Sequence, residues 1–212
     1  GELKAEDRLP SEIDLMKKFG VSRITIRAAI AELVEEGVLV RSQGKGTFVA
    51  SPKTLYKAND GYGFTYSCRL AGKTPATKLI SKEIIYPSSQ DIEFLGIQET
   101  DKIICTKRLR FVDDEPTMIE TNHYPAASFS FLMGENLEGS LFELLEKKYN
   151  IHVYESLRTL EVYFPTKEEA SLLGIKNNTP LLLFKDMQKD SNDKPLFISR
   201  QIYCTERLKF YL

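Results

Sequence analysis

Residues 9–49 carry, in order, the signals of a helix, a tight turn, a second helix and a β-hairpin, and no other feature constrains the fold as strongly. Ser11 is a favourable N-cap, and Asp14 three residues later completes a capping-box pattern. Gly20 ends the first helix, because glycine adopts the left-handed conformation at little cost. Ser22 follows at once as the next cap, and so short a connection sets two helices at a steep angle.

The second helix is predicted over residues 23–36, with Ser22 as its cap. Arg23 and Arg27 are four residues apart, so they lie on the same side of this helix. A recognition helix presents its N-terminal residues to the major groove of DNA. Arginine suits the two acceptors of guanine, and the apolar Ile24 suits a thymine methyl group.

Two short strands are predicted at residues 38–40 and 47–49, around a tip formed by residues 43–46. Lys45 at so small a tip can reach a phosphate or the minor groove. A helix pair followed by such a wing predicts a winged helix-turn-helix and, with it, double-stranded DNA as a partner. Arginines on an amphipathic helix also occur on plain solvated faces, so the prediction depends on the combination of helix pair, wing and basic tip.

The charge of the chain bears on how it would bind DNA. The 212 residues have a formal net charge of −1, and residues 1–53 contain nine basic and eight acidic side chains. Affinity must therefore come from a patterned face and not from bulk charge. Dimerisation would double that face. The length leaves room for one further domain of ordinary size.

Residues with reactive side chains give no catalytic or metal-binding pattern. Cys68, Cys105 and Cys204 are odd in number and scattered, which together with the lack of a signal peptide indicates reduced thiols in a cytoplasmic protein. His123 and His152 are not at metal-ligand spacing from them. No nucleophile motif is present, and no apolar run is long enough to span a membrane. We therefore expect no metal, no cofactor and no catalytic residue.

Residues 51–62 lack periodicity and contain Pro, Asn, Asp and Gly, which predicts a linker between the first domain and residues 63–212. Beyond it, short helices alternate with long apolar strands, which predicts an α+β domain with a mainly antiparallel sheet. Helices are expected at residues 64–70, 89–95, 140–149 and 167–173. Strands are expected at residues 77–86, 102–112, 117–124, 155–164, 181–189 and 196–203.

The second domain contains an internal repeat. Leu95-Gly96-Ile97 is echoed by Leu173-Gly174-Ile175, and each follows a short helix and precedes a strand, a polar turn with proline and a return strand. Two such copies predict two hairpins in one sheet, related by an approximate twofold axis. A pocket between the two halves is expected.

The two copies differ at one pair of strand positions. Arg108 and Arg110 leave the same face of their strand, whereas their counterparts are Asp186 and Gln188. Glu120 on the return strand is expected roughly opposite Arg110. Two arginines beside one carboxylate could hold a phosphate, with the glutamate binding a sugar hydroxyl or an amine. A cross-strand salt bridge on a solvated sheet face is the alternative.

The first domain resembles the GntR family of bacterial transcription regulators. The matching segments are Leu9-Pro10-Ser11-Glu12, residues 20–27, Glu36-Gly37 and residues 44–49. The resemblance implies that Arg23, Thr25 and Arg27 contact DNA, with Arg8 near the backbone and residues 44–47 at the minor groove. The candidate DNA-binding residues are Arg8, Ser11, Ser22, Arg23, Ile24, Thr25, Arg27, Gln43, Gly44, Lys45, Gly46 and Thr47.

Two departures from the family pattern lie in this domain. Many members carry a DNA-reading arginine directly after the Ser-Glu pair, where this chain has Ile13. A different operator preference is therefore expected. The family's leading helix would precede Gly1 and is absent from the sequence, so we expect the full protein to begin earlier.

Residues from about 63 to 212 resemble the UTRA effector domain of the HutC subfamily. The resemblance lies in residues 107–110, Glu115-Pro116, Glu120, Tyr124-Pro125, residues 140–145, Leu173-Gly174 and Tyr203 with Arg207. It implies a chorismate-lyase-like α+β fold that binds small effectors, often phosphorylated sugars. By resemblance, the phosphate is held from Thr65, Arg108, Arg110 and Ser140, and the sugar from Glu120. Phe142 and Phe197 occupy two further effector positions, where family members often carry tyrosine and glutamate.

These observations predict a ligand-responsive transcriptional repressor. A homodimer would place two recognition helices on a palindromic operator, and a phosphorylated, sugar-like effector would control binding through the linker as a hinge. Two alternatives remain open at this point. The lyase-like fold could act as an enzyme on a small anionic substrate, although fold alone does not carry function. The chain could also be a constitutive DNA-binding protein whose second domain only dimerises.

Overall fold

A computed structural model describes residues 3–42, 44–50, 53–57 and 63–211. The chain divides into two compact units, Gly1–Lys53 and Thr54–Leu212. Within the described residues, no helix is both long and apolar enough to cross a membrane.

The first unit contains the predicted helix pair and hairpin. Its elements are α1 (Glu12–Phe19), α2 (Arg23–Glu35), β1 (Leu39–Ser42) and β2 (Gly46–Val49), and the two strands pair antiparallel.

Local signals explain where the helices begin and end. The side chain of Ser11 accepts a hydrogen bond from the Asp14 amide, and that of Ser22 does the same for Thr25. Gly20 has a φ of 66°, as its position after α1 requires. The core of this unit is the apolar cluster of Leu15, Ile26, Ile30 and Leu39. The winged helix-turn-helix prediction is confirmed.

The second unit begins with β3 (Thr54–Lys57) and α3 (Gly63–Leu70). Its first repeat contains β4 (Pro75–Ile85), α4 (Ser89–Leu95), β5 (Ile103–Val112) and β6 (Glu115–Pro125). Between the repeats lie α5 (Ala126–Phe129), a 3₁₀ turn (Ser130–Gly134) and α6 (Leu141–Tyr149). Its second repeat contains β7 (Glu155–Tyr163), α7 (Lys167–Leu173), β8 (Leu181–Lys189) and β9 (Pro195–Cys204), and β10 (Leu208–Tyr211) follows.

One strand lies inside the segment that the sequence predicted as a linker. Residues 54–57 form β3, which pairs in parallel with β10 near the other end of the chain. This strand belongs to the second unit, so the boundary between the units lies at residues 53 and 54. The pairing joins segments far apart in sequence, so the local composition gave no sign of it. Residues 51, 52 and 58–62 of the predicted linker lie outside the described residues.

The main sheet has the strand order β4-β5-β6-β9-β8-β7, with antiparallel neighbours throughout. Each repeat contributes three adjacent strands, and β6 pairs with β9 at the centre. This order confirms two related hairpins in one α+β sheet. Each repeat also includes a preceding strand, β4 or β7, which the sequence comparison of the two copies had left out.

The two faces of the sheet carry different chemistry. On one face, α4 and α7 pack over apolar residues that include Ile103 and Ile119. On the other face, apolar clusters around Tyr124 and around Met118 flank a band of buried polar side chains. Because side chains alternate along a strand, Leu109 packs into the first face while its neighbours on β5 point into the polar band.

Candidate functional site

The N-terminal turns of α2 form an exposed cationic surface. The side chains of Arg23 and Arg27 are 68% and 62% exposed, and Ile24 between them is 82% exposed. Glu12 of α1 pairs with both arginines, with N–O distances of 2.9 Å to Arg23 Nε and 3.8 Å to Arg27 Nε. Glu12 thus bridges the two arginines and holds them side by side. Glu12 belongs to the Leu9-Pro10-Ser11-Glu12 segment, and no sequence pattern predicted its contact with the arginines.

The caps of the two helices fix the residues around this surface. Ser22 and Thr25 hydrogen-bond through their hydroxyl groups at 2.9 Å, in addition to the cap itself. Ser11 is exposed at the start of α1, and its hydroxyl contacts the Asp14 carboxylate at 2.5 Å. The hydroxyl groups of three predicted DNA-binding residues, Ser11, Ser22 and Thr25, therefore form local hydrogen bonds.

The wing places a further arginine beside a glycine. Arg8 forms a β-bridge with Phe48, and a Cβ atom added at Gly46 would lie 2.9 Å from the Arg8 Nε atom. Gly46 also has a φ of 126°, so a side chain there would be strained for two reasons. The Arg8 guanidinium therefore lies against Gly46, next to the tip of the wing. Lys45 and Gly44 form its tip, and Gln43 lies outside the described residues.

In the second unit, two arginines and one glutamate form a buried ionic cluster. The side chains of Arg108, Arg110 and Glu120 are 1%, 3% and 6% exposed. A single carboxylate oxygen of Glu120 accepts from Arg110 Nη1 at 3.0 Å and also from Arg108 Nη2. The alternative prediction, that these residues lie on a solvated face of the sheet, is therefore wrong.

The strand register differs from the prediction in one respect. Glu120 lies directly opposite Arg108, and Arg110 lies opposite Met118. The sequence predicted a four-residue turn at residues 113–116, whereas Val112 pairs directly with Glu115, which shifts the register by two residues. A bulge between Arg110 and Phe111 takes back one residue of that shift. Glu120 still reaches both arginines, because arginine side chains are long.

The remaining donors of the two arginines have mostly local partners. Arg108 Nη1 donates to the carbonyl oxygens of Leu137 and Gly139 at 3.2 and 3.3 Å. Arg110 Nη2 donates to Thr65 Oγ1 of α3 at 2.8 Å, and its guanidinium stacks 4.6 Å from the centroid of the Phe64 ring. Among the described residues, the buried Arg110 Nε has no hydrogen-bond partner.

The electrostatics of the cluster favour an incoming anion. Burial and the neighbouring charge of Arg108 lower the pKa of Arg110 to about 10. Burial opposes ionisation of Glu120, but the charges of Arg108 and Arg110 outweigh it and lower the pKa of Glu120. Arg110 and Glu120 are therefore both charged at neutral pH, and the cluster contains two guanidinium groups and one carboxylate. The cluster thus combines excess positive charge with an unpaired buried donor, two features that a bound anion would satisfy.

The other predicted effector residues surround or adjoin this cluster. Ser140 caps α6 by accepting from the Glu143 amide at 3.3 Å, one residue after the Gly139 carbonyl that binds Arg108. The Phe142 ring lies against Gly63, where an added Cβ would come within 2.9 Å of it. Phe197 is buried in the apolar cluster, with its ring centroid 4.9 Å from that of Tyr124.

Sequence reasoning did not identify how the polar band continues into the second repeat. Asp186 is fully buried and pairs with Arg158 at 2.6 Å through both carboxylate oxygens. Gln201 donates to Asp186 at 3.1 Å and accepts from the Tyr203 hydroxyl at 2.6 Å. In the internal repeat, Asp186 occupies the position that corresponds to Arg108. That correspondence was the sequence signal that could have pointed to this second polar group.

A winged helix-turn-helix joined to an α+β unit with a buried cationic cluster defines a class, the one-component regulators that couple a ligand domain to a DNA-binding domain. Family comparison agrees. Residues 1–49 match the model for bacterial regulatory proteins of the gntR family, and residues 70–209 match the UTRA domain.

Individual relatives and solved structures give the same assignment. The chain is 32% identical over 210 residues to the HTH-type transcriptional repressor NagR of Bacillus subtilis, covering 99% of this chain and 86% of that protein. It is 28% identical over 212 residues to the mannosyl-D-glycerate transport/metabolism system repressor MngR of Escherichia coli, covering 100% and 88%. The crystal structure of PhnF from Mycobacterium smegmatis superimposes with a TM-score of 0.74 at 25% identity, covering 99% and 92%.

The chain therefore belongs to the GntR family of transcription regulators and carries a UTRA domain. It is a ligand-responsive transcription regulator of the repressor type. The enzyme alternative is set aside, because the family and the named relatives are transcription regulators.

Proposed function

We propose that this regulator binds a palindromic operator as a homodimer and that a phosphorylated, sugar-like effector controls the binding. The buried cluster of Arg108, Arg110 and Glu120 is the observation that supports the effector class. The cluster has two positively charged guanidinium groups and one carboxylate, so its net charge is positive. In addition, the Arg110 Nε donor lacks a protein partner among the described residues. A phosphate dianion supplies both missing features, since it offers several acceptors and negative charge.

The effector's phosphate is assigned to Arg108, Arg110, Thr65 and Ser140. Thr65 already accepts from Arg110, and the Ser140 hydroxyl lies at the N-terminus of α6, where a helix dipole favours an anion. Among the described residues, Glu120 is the acidic group in contact with both arginines, so a sugar hydroxyl or an amine would bind there.

The remainder of the ligand is assigned a less polar character. Phe142 stands where many family members have tyrosine and removes a hydroxyl group, and Phe197 lies within an apolar cluster. The named repressor of a mannosyl-D-glycerate system shows that a relative is associated with a sugar derivative. For this chain, we infer a phosphorylated compound whose distal part makes apolar contacts.

The DNA-contacting surface is assigned to Arg23, Ile24, Thr25 and Arg27 on α2, with Lys45 and its neighbours on the wing. The exposure of these α2 side chains supports the assignment, since a base-reading residue has to be accessible in free protein. Arg8 against the wing and Ser11 and Ser22 at the helix starts would contact phosphates. Ile13 is exposed where a reading arginine is common, so the operator would differ from the usual family site.

Calorimetry tests the effector assignment. A panel of sugar phosphates, the matching unphosphorylated sugars and inorganic phosphate would be titrated into wild type, Arg108→Ala and Lys107→Met. Lys107 is the matched control, because it lies beside Arg108 on β5 but pairs with Glu168 on the other face. We expect a phosphorylated compound to bind wild type and Lys107→Met alike and to lose at least tenfold in affinity for Arg108→Ala. Binding by no phosphorylated compound, or equal binding to all three proteins, would contradict the proposal.

A further inference from the structure

A second polar cluster lies on the face of the sheet opposite the arginines. Cys105 on β5 is directly opposite His123 on β6. The Nδ1 atom of His123 lies 2.8 Å from Asp91 Oδ1 of α4, and Asp91 is almost completely buried. The sequence places these residues 14 and 18 positions apart, so the sheet pairing and the helix packing bring them together. The order Asp91, His123, Cys105 is that of a carboxylate orienting an imidazole beside a thiol.

The carboxylate of Asp91 is fixed in place. Its Oδ2 atom accepts from the Ser88 amide at 2.8 Å and from the Ser88 hydroxyl at 2.6 Å, which forms the capping box of α4. The Oδ1 atom is left for His123. This contact determines which ring nitrogen faces the carboxylate, so the Nε2 atom of His123 is available to the thiol.

Charges around the pair favour a protonated imidazole. Partial burial opposes protonation of His123, but hydrogen bonds to Asp91 and to Cys105 outweigh it and raise the pKa of His123 to about 9. Other charged groups also face this region. Glu83 of β4 lies opposite Cys105, and Lys107 lies two residues further along β5, paired with Glu168 of α7. On β9, the residue opposite His123 is the apolar Ile198.

Cys105 differs from the other two cysteines in its exposure to solvent. Cys68 and Cys204 are fully buried, whereas Cys105 is partly exposed, and His123 beside it is also partly exposed. Within the described residues, no group of three His, Cys, Asp or Glu side chains is arranged to hold a metal ion. A thiol that is accessible and next to a charged imidazole fits a reactive cysteine better than a structural one.

We propose that Cys105, oriented by His123 and Asp91, is a reactive thiol that is modified by soft electrophiles and by hydroperoxides. With an alkyl halide, the thiolate sulfur forms a bond to carbon and the halide leaves. With a hydroperoxide, sulfur forms a bond to the distal oxygen as the O–O bond breaks. Sulfur is oxidised to sulfenic acid, the peroxide is reduced, and the leaving hydroxide or alkoxide takes the proton from the imidazolium.

Iodoacetamide labelling tests the proposal on the whole chain. Peptide mass spectrometry would follow all three cysteines over time in wild type, His123→Gln, Asp91→Asn and His152→Gln. His152 is the matched control, since it is an exposed histidine elsewhere in the same unit. We expect Cys105 to be labelled at least ten times faster in wild type and His152→Gln than in His123→Gln, with an intermediate rate in Asp91→Asn.

Two further measurements separate reactivity from simple exposure. In denaturant, the Cys105 rates of all four proteins should become equal, because the folded arrangement is lost. Hydrogen peroxide followed by dimedone should give one adduct, at Cys105, and none in Cys105→Ser. Equal native rates in wild type and His123→Gln, or labelling of Cys68 and Cys204 as fast as that of Cys105, would overturn the proposal. So would the absence of a dimedone adduct at Cys105.

Discussion

The two units contain the same ionic trio in opposite environments. In the first unit, Arg23 and Arg27 flank Glu12 on an exposed helical surface. In the second unit, Arg108 and Arg110 flank Glu120 in the interior. We call these the exposed trio and the buried trio. Each has two cations and one anion, so the difference between them is the solvent.

Exposure to solvent determines how readily the arginines of each trio can exchange their glutamate partner for another anion. Exposed ion pairs are screened and contribute little to stability, so the arginines of the exposed trio can leave Glu12 for DNA at low cost. The buried trio is largely shielded from solvent, so its excess charge is expensive to leave unbalanced, and under the proposed function a small anion balances it. Under the proposed function, the same set of side chains therefore serves a polyanion where it is exposed and a small anion where it is buried.

The largest expected effect comes from removing the buried carboxylate. Glu120→Gln leaves two guanidinium groups facing each other without a counter-charge, and it should lower the free energy of unfolding by about 3–5 kcal/mol. Urea denaturation measures this. Inorganic phosphate should restore more stability to the variant than it adds to wild type, since it replaces the missing anion. A loss below 1 kcal/mol would show that the buried trio is less isolated from water than its geometry indicates.

The second effect concerns the ligand and not the fold. Arg110→Met keeps the length of the apolar stem but removes the charge and the unpaired Nε donor. Affinity for the phosphorylated effector should fall by roughly 2 kcal/mol or more, because a buried charge pair is lost. Calorimetry measures it, with Lys107→Met as the control. Unchanged affinity in Arg110→Met would remove this residue from the effector site.

The third effect concerns the exposed trio. Arg23→Ala should weaken operator binding by about 1–3 kcal/mol and relax the preference at one base pair, as loss of a base-reading arginine does. Lys45→Ala should instead weaken binding to all DNA sequences alike. It should also reduce the slope of log affinity against log salt concentration by about 1. Fluorescence anisotropy at several salt concentrations distinguishes the two. Equal losses on operator and random DNA for Arg23→Ala would contradict base reading.

The fourth effect concerns the ion pair of His123 and Asp91 in the second unit, of which the His123 side chain is partly exposed. The pKa of His123 is raised in the folded protein from 6.5 to about 9, so this stabilisation is fully present below pH 6.5 and is lost as the pH rises through about 9. The full shift corresponds to about 3 kcal/mol, and because His123 is partly exposed, solvent screening should reduce the loss to about 2 kcal/mol. Urea denaturation of wild type at several pH values would show it, and His123→Gln should lack it. An identical pH dependence in both proteins would contradict the assignment.

The smallest effect is expected for Glu12→Gln, the exposed counterpart of Glu120→Gln. Stability should change by less than about 1 kcal/mol, because exposed pairs contribute little. Operator affinity should stay the same or rise slightly, since the arginines no longer have to leave a carboxylate. Thermal denaturation and anisotropy measure the two quantities. A loss of stability as large as that of Glu120→Gln would remove the distinction between the two trios.

Local signals in the sequence predicted much of the fold. The caps at Ser11 and Ser22 and the stop at Gly20 are short-range patterns, and the helices begin and end where these patterns place them. The repeated Leu-Gly-Ile segments predicted the two related hairpins. Alternation along β5 also placed Arg108 and Arg110 on one face of the sheet.

What the sequence did not reveal depends on contacts between distant segments. The pairing of β3 with β10 crosses almost the whole second unit. The register of Glu120 depends on a turn shorter than residues 113–116 and on a bulge beyond Arg110, and a residue count supplies neither. The contact of Glu12 with two residues of the next helix depends on the angle between the helices. The meeting of Asp91, Cys105 and His123 depends on how α4 packs on the sheet. None of these has a local sequence pattern.

Operator binding with and without effector tests the link between the two trios most directly. Anisotropy titrations would measure the operator Kd of wild type, Arg110→Met and Lys107→Met, each with and without the phosphorylated compound identified by calorimetry. If an anion on the buried trio controls the exposed trio, the compound should shift the Kd of wild type and Lys107→Met at least tenfold and leave Arg110→Met unmoved. An equal shift in all three proteins, or no shift in wild type, would contradict this link.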